Sequence, residues 1–111
     1  MKVLVLGGAG YIGSHICKAL ALMNHQTMVL DNLSTGHREA VRWSQFIEAD
    51  ILDAEALLSI LQDAGPFDLI MHFCAKSLVG ESVQNPALYY RNNVAGTLNL
   101  LDAMVANGHD K

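Results

Sequence analysis

The sequence contains only two cysteines, which form neither a disulfide framework nor the ligand spacing of a zinc site. Charged residues are also scarce, at 16% of the chain, and the 7 basic ones are outnumbered by 11 acidic ones. This balance argues against a nucleic-acid-binding module. No apolar run approaches the ~20 residues that span a bilayer, and no signal peptide precedes the first apolar segment. We therefore expect a cytoplasmic domain with no metal and no nucleic-acid or membrane partner.

The rest of the composition is that of a folded protein. Hydrophobic residues make up 51% of the 111 positions and the mean hydropathy is +0.24, which excludes a disordered chain. This length suits one domain, in which roughly 65% of the unfolded surface can be buried. No repeat, low-complexity run or linker divides the chain, so a single core is expected.

Short apolar runs alternate with segments of helical periodicity. The predicted strands cover residues 3–6, 27–30, 45–47 and 68–73. The predicted helices cover residues 11–23, the segment between Asp53 and Gly65, and a long segment from Pro86 to Asn107, with a polar loop before Pro86. This alternation is typical of βαβ units. It predicts an α/β fold, a Rossmann-like doubly wound parallel sheet truncated to about four strands, with a nucleotide crevice at the carboxyl ends of the strands.

Each helix has an apolar stripe that we expect to face the core. In the first helix the stripe consists of Ile12, Ile16, Ala19, Leu20 and Met23. In the second it consists of Ala56, Leu57, Ile60 and Leu61, and in the long helix of Tyr90, Val94, Leu98, Leu101 and Val105.

Glycines crowd the turn between the first strand and the first helix. Residues 7–13 contain Gly7, Gly8, Gly10 and Gly13, so the turn fits both a G-x-x-G-x-x-G and a G-x-G-x-x-G pattern. A cofactor pyrophosphate needs close backbone approach, free N–H groups and a helix N-terminus, and the last glycine permits tight helix–strand packing. Because an apolar strand precedes this turn and a helix follows it, the pattern predicts a dinucleotide site.

An acidic residue ends the second predicted strand at the position that such a site requires. Asp31 follows Gly13 by 18 residues, and its carboxylate can accept hydrogen bonds from ribose hydroxyls while repelling a 2′-phosphate. The next residue is Asn32 and not arginine, which favours NAD over NADP. The alternative for Asp31 is a residue that only initiates a turn.

Several segments together resemble the UDP-glucose 4-epimerase family of the extended short-chain dehydrogenase/reductase superfamily. They are residues 7–15, 31–36, 50–51, 72–75 and 79–97, and the last of these is the most typical of the 4-epimerases. The resemblance covers nearly all 111 residues but only about the first third of a typical member. It implies that residues 1–111 are the N-terminal part of an NAD-binding Rossmann domain, without the substrate domain.

The resemblance also implies which residues bind the NAD cofactor. Tyr11 and Ile12 would meet the pyrophosphate through their N–H groups, Asp50 would accept a bond from the adenine amino group, and Asn92 would contact the nicotinamide half. The whole implied set is Gly7, Gly10, Tyr11, Ile12, Gly13, Asp31, Asn32, Leu33, Ser34, Thr35, Gly36, Asp50, Ile51, Phe73, Cys74, Ala75, Lys76, Ser77 and Asn92.

Two positions depart from the family pattern. The family often has alanine where this chain has Cys74, although the side chain stays small enough for close approach of a cofactor. Many members have a lysine at the position aligned with Ser77, whereas the lysine here, Lys76, is one residue earlier.

The catalytic residues of the family have no counterpart in this sequence. The family's reaction uses a Tyr-x-x-x-Lys motif, and the residues four positions after Tyr11, Tyr89 and Tyr90 are His15, Asn93 and Val94. We therefore expect this chain alone to lack epimerase activity, and a UDP-sugar to bind only in a longer parent. Homodimers occur in the family, but we do not expect a family-type dimer here. The alternatives are a stand-alone dinucleotide-binding module or part of a sugar-nucleotide dehydratase or decarboxylase.

Overall fold

The structure is a computed structural model that describes residues 1–76 and 79–111. Its strands are β1 (Lys2–Leu6), β2 (Gln26–Asp31), β3 (Gln45–Glu48) and β4 (Leu69–His72). Its helices are α1 (Tyr11–Leu22), α2 (Ala54–Ala64), α3 (Val79–Gln84), α4 (Pro86–Tyr90) and α5 (Thr97–Ala106), with a 3-10 turn at Arg38–Ala40 and a π-helical turn at Arg91–Gly96 that joins α4 to α5. Among these residues no helix is both long enough and apolar enough to cross a membrane.

The four strands form one parallel sheet in the order β3-β2-β1-β4. The central strand β1 pairs on both sides, so that Val3 lies beside Thr27 of β2 and beside Leu69 of β4. The chain adds β2 and β3 on one side of β1 and then returns to add β4 on the other side. The predicted α/β, Rossmann-like parallel sheet is confirmed.

The alternating side chains of β1 divide the core into two layers. Val3 and Val5 pack in a cluster with Cys17 of α1. Leu4 and Leu6 point to the opposite face, where they join Leu57 and Leu61 of α2 and Leu100 of α5 in a larger cluster. Because successive residues of a strand point to opposite faces, a continuous apolar run such as β1 is buried on both sides.

Helix α2 follows the sequence prediction closely. The Asp53 side chain accepts a hydrogen bond from Ala56 N at 3.1 Å, which is the geometry of an N-cap. Leu57 and Leu61 are buried, and the helix ends at Ala64, directly before Gly65.

The predicted inward stripe of α1 is wrong at three of its positions. Ile12, Ala19 and Met23 are exposed, whereas Gly13 and Cys17 are buried. The rotation of α1 is set by close contact at Gly13, where a Cβ atom would lie 2.2 Å from Gly7 O. A glycine adds no signal to an apolar pattern, so the hydrophobic periodicity predicted the wrong buried face for α1.

The predicted stripe of the long helix is also wrong. Its members are exposed, Tyr90 at 68% and Val105 at 80% of the side-chain surface, together with Val94, Leu98 and Leu101. The buried side carries Tyr89, Asn92, Gly96, Leu100 and Ala103. Polar Asn92 and small Gly96 and Ala103 give no apolar signal, and the π-helical turn interrupts the 3.6-residue period on which the prediction depended.

The segment before Pro86 is also more regular than predicted. Residues expected in a polar loop include helix α3, after which the Asn85 side chain caps α4 by accepting a hydrogen bond from Leu88 N. Helix α3 is six residues long, which is too short for a periodic signal in a polar segment.

Candidate dinucleotide-binding site

A cavity of about 250 Å³ opens at the carboxyl ends of all four strands. In an open parallel sheet, ligands bind at this edge. They bind next to the strand from which later strands are added on opposite sides, which is β1 here. The lining residues come from the glycine turn, the ends of β2 and β3, the segment after β4, and the helices beyond it. They are Gly7, Gly10, Leu30, Asp31, Asn32, Ser34, Thr35, Ala49, Asp50, Ile51, Phe73, Cys74, Ala75, Lys76, Glu81, Tyr89 and Asn92.

The glycine turn needs glycine at two positions for reasons of backbone geometry. Gly7 has φ of +83° and donates its N–H to Leu30 O, and a Cβ atom on it would lie 2.5 Å from Phe73 O. Gly13 brings the first turn of α1 against Gly7. Gly10, the N-cap of α1, carries no side chain that could cover the helix N-terminus. The turn therefore leaves the first N–H groups of a 12-residue helix open to an anion.

The Asp31 carboxylate connects the glycine turn to the loop after β2. Asp31 is only 8% exposed, and its Oδ2 accepts a hydrogen bond from Ala9 N at 3.0 Å while its Oδ1 accepts one from Leu33 N at 2.8 Å. A further bond, from His37 N to Ala9 O, holds the end of this loop against the same turn. Asp31 therefore fixes two walls of the cavity and still lines it.

A second carboxylate, that of Asp50, lies across the cavity at the end of β3. Its Oδ2 accepts a hydrogen bond from Asn32 Nδ2 at 3.1 Å and its Oδ1 accepts one from Leu52 N at 2.9 Å. Ile51 is buried against Gly96, where a Cβ atom would lie 2.5 Å from Ile51 Cδ1. The Asn32–Asp50 bond thus ties the ends of β2 and β3 together at the cavity rim.

The wall after β4 is held by hydrogen bonds to the long helix. Asn92 Nδ2 donates to Cys74 O at 3.0 Å, and Cys74 N donates to His72 Nδ1 at 3.3 Å. His72 Nε2 in turn lies 3.1 Å from Thr97 Oγ1. His72 is thus a partnered strand-end histidine, and burial lowers its pKa.

Most of the residues expected to bind the cofactor line this one cavity. Tyr11 and Ile12 do not line it, and their side chains are 80% and 61% exposed at the start of α1. Gly13, Leu33 and Gly36 support its walls from outside the lining. Ser77 lies outside the described residues.

Four lining residues were missed at the sequence level: Leu30, Ala49, Glu81 and Tyr89. Leu30 and Ala49 are apolar residues immediately before Asp31 and Asp50, so their positions at the strand ends were the available signal. Glu81 lies in the segment predicted as a polar loop, and Tyr89 is not part of the stripe that was predicted to face the core.

The cavity strongly disfavours a thiolate at Cys74. Burial, and to a smaller extent the nearby carboxylates of Asp31 and Asp50, raises the pKa of the Cys74 thiol to about 12. Burial also raises the pKa of Cys17. Both cysteines therefore stay protonated at neutral pH and behave as small packing residues.

This protonation state predicts slow alkylation of the folded chain. In the Cys17→Ser variant, iodoacetamide at pH 8 is expected to modify Cys74 at least about a hundredfold more slowly than a free cysteine, because the thiolate fraction is depressed. The rate, followed by mass spectrometry, should rise to the free-cysteine value in guanidinium chloride. Rapid modification of the folded chain at pH 8 would contradict a protonated, half-buried Cys74.

The sheet order, the glycine turn and the acidic end of β2 together define a Rossmann-like α/β protein. A model of the NAD-dependent epimerase/dehydratase family matches residues 3–111, and the chain belongs to that family.

Individual relatives point to one branch of this family. The UDP-glucose 4-epimerase of Rhizobium meliloti is 51% identical over 109 residues, which are 98% of this chain and 33% of that protein. The crystal structure of UDP-glucose 4-epimerase from Brucella ovis in complex with NAD is 52% identical with a TM-score of 0.92, over 96% of this chain and 33% of that one. That of Thermus thermophilus, also a complex with NAD, is 40% identical with a TM-score of 0.94, over 99% and 35%. The resemblance predicted from the sequence is confirmed, and the chain spans about a third of the length of these relatives.

Proposed function

We propose that this chain binds NAD as the cofactor-binding portion of a UDP-glucose 4-epimerase. The observation that carries the proposal is the cavity in which the Gly7 turn, Asp31 and Asp50 converge at the carboxyl ends of the strands. The Brucella and Thermus relatives, which share this fold, are complexes with NAD.

The side chains of the cavity fit the parts of a dinucleotide. The cradle at Gly7 and Gly13 is one that a Cβ atom would fill, as close approach of a pyrophosphate requires. The N–H groups of Tyr11 and Ile12 begin α1 and face the diphosphate in this proposal, although their side chains point to solvent.

In this proposal the two carboxylates bind different parts of the adenosine half of NAD. Asp31, with Asn32 beside it, accepts hydrogen bonds from the adenosine ribose hydroxyls, and Asp50 accepts one from the adenine amino group next to the apolar surface of Ile51. Each carboxylate oxygen has two lone-pair directions, so the hydrogen bonds already made to backbone N–H groups leave acceptor capacity for a ligand.

Residues 73–76 and Asn92 would flank the remaining ribose, the diphosphate and the nicotinamide half. NAD, when bound, supplies a hydride acceptor and donor for oxidation and re-reduction of a sugar carbon. This chain contributes binding and orientation to that chemistry.

We also infer that the chain does not epimerise a sugar nucleotide by itself. No tyrosine in the sequence is followed four residues later by lysine, so the tyrosine–lysine pair that removes the sugar hydroxyl proton has no counterpart. A UDP-sugar would bind and react only in a longer parent that carries this pair.

The test is a titration of the chain with NAD⁺ and, separately, with NADP⁺. We expect saturable binding of NAD⁺ with a dissociation constant above the micromolar range, because the lining formed by the described residues extends no further along the chain than Asn92 toward the nicotinamide end. We expect NADP⁺ to bind at least about tenfold more weakly, because Asp31 repels a 2′-phosphate. Absence of saturable NAD⁺ binding, or equal affinity for both cofactors, would contradict the proposal. Sub-micromolar binding of NAD⁺ would contradict only the expected weakness, and turnover of UDP-galactose by this chain would contradict the inferred lack of epimerase activity.

A further inference from the structure

We propose that Asn93 is a positioning residue for the cofactor cavity, which it shapes by holding both backbone polar groups of Lys76. Lys76 N donates a hydrogen bond to Asn93 Oδ1 at 2.8 Å, and Asn93 Nδ2 donates one to Lys76 O at 2.9 Å. One amide side chain thus satisfies the N–H and the C=O of a single residue that follows β4. The functional part of this inference rests on the proposed binding of NAD.

The neighbouring Asn92 makes further hydrogen bonds to the same segment and to Asn93. Asn92 Nδ2 donates both to Cys74 O and to Asn93 Oδ1, each at 3.0 Å. Thr97 Oγ1 donates to Asn93 O at 2.8 Å from one turn further along. Asn92 therefore helps to orient the Asn93 side chain, and Thr97 helps to hold the Asn93 backbone.

Two consecutive residues of the π-helical turn, Asn92 and Asn93, reach the same segment. In an α-helix consecutive side chains point about 100° apart, so Asn92 and Asn93 would ordinarily face different surroundings. Both lie in the π-helical turn at Arg91–Gly96, and both contact the segment 74–76. Isolated π-helical turns within α-helices are frequent at functional sites.

The segment that Asn93 holds carries the cationic residue of the cavity. Among the described lining residues Asp31, Asp50 and Glu81 are acidic and Lys76 is basic. A cofactor diphosphate that enters a cavity with three carboxylates needs a compensating cation nearby. Because Asn93 fixes the Lys76 backbone, it also fixes the position from which the Lys76 ammonium group can reach the diphosphate.

Amide hydrogen exchange tests the structural half of this proposal without any ligand. In Asn93→Ala we expect exchange of the Lys76 amide to accelerate about fivefold to tenfold, the effect of one lost hydrogen bond. In Asn93→Asp the carboxylate still accepts from Lys76 N, so protection of this amide should be retained although the bond to Lys76 O is lost. The control is Asn107→Ala at the C-terminal end of α5, which removes hydrogen bonds to Ala103 O of α5 and to Leu58 O of α2.

A double-mutant cycle tests the functional half. Affinity for NAD⁺ is measured by NMR titration for the wild type, Asn93→Ala, Lys76→Ala and the double variant. We expect each single variant to weaken binding about fivefold to tenfold, and the double variant to be within about twofold of Lys76→Ala, because Asn93 acts through Lys76. Asn107→Ala should bind NAD⁺ like the wild type.

The outcomes separate this proposal from the proposed function. If the wild type shows no saturable NAD⁺ binding, the proposed function fails, and the Lys76 exchange rate still decides whether Asn93 holds the segment. If the wild type binds but Asn93→Ala binds equally well, or if the two single effects simply add in the double variant, the positioning role is overturned. Unchanged exchange of Lys76 in Asn93→Ala would overturn it as well.

Discussion

Replacing Gly13 with alanine is expected to lower the free energy of unfolding by about 3 kcal/mol. The new Cβ atom would lie 2.2 Å from Gly7 O and 2.9 Å from Gly7 C, whereas a carbon–oxygen contact needs about 3.3 Å. Both neighbours are backbone atoms of the glycine turn, so neither can move without shifting β1 or α1. The result is strain that a side-chain rotation cannot relieve.

Urea denaturation followed by circular dichroism measures this loss, and Gly10→Ala is the matched control. Gly10 lies in the same turn with φ of −79°, and a Cβ atom on it would be 3.4 Å from Gly7 O, an ordinary contact. We expect the control to lower the free energy of unfolding by no more than about 1 kcal/mol, the cost of alanine at an N-cap. A Gly13→Ala chain as stable as Gly10→Ala would show that α1 is not packed directly on the turn.

Replacing Asp31 with alanine is expected to damage both the fold and the site. The substitution leaves the N–H groups of Ala9 and Leu33 without their carboxylate acceptor in a buried position, which should cost about 2–3 kcal/mol of stability. NAD⁺ affinity should fall at least about tenfold, because the ribose hydroxyls lose a charged acceptor and the two loops lose their common anchor.

Two further variants separate these effects. Asp31→Asn keeps an acceptor oxygen for one backbone N–H group, so its stability should lie between those of the wild type and Asp31→Ala. Asp63→Ala removes the same charge from an exposed position of α2 and should leave both stability and NAD⁺ affinity unchanged. If Asp31→Ala retained wild-type affinity for NAD⁺, Asp31 would have no place in the site.

The fold could be predicted from the sequence wherever apolar character and burial coincide. The run in β1 is buried on both faces, and Asp53 caps α2 as its position before an apolar period suggested. The predicted buried faces of the helices were wrong where packing depends on glycine, which has no side chain. Gly13 and Gly96 are contact points because they are small, and a pattern that counts apolar residues gives them no weight.

The site could be predicted from residues at strand ends, with help from the family resemblance. Asp31 and the glycine turn have a chemical rationale in the sequence itself, and the resemblance added Asp50, Ile51 and Asn92, all of which line the cavity. Asn93 could not be predicted, because its partners are backbone groups of Lys76, which any residue there would offer, and because it lies in the π-helical turn. Such a turn has no periodic signature in a sequence of this kind.

The central claim is that the cavity at the carboxyl ends of the strands binds NAD. NMR chemical-shift mapping of the ¹⁵N-labelled chain with NAD⁺ tests it most directly. We expect saturable shifts at the amides of Asp50 and Ala75, which line the cavity, and of Tyr11, which begins α1 next to the glycine turn. We expect none at Leu58 and Ala106, which border a separate groove between α2 and α5. Absence of saturable shifts, or shifts confined to residues away from the strand ends, would contradict it.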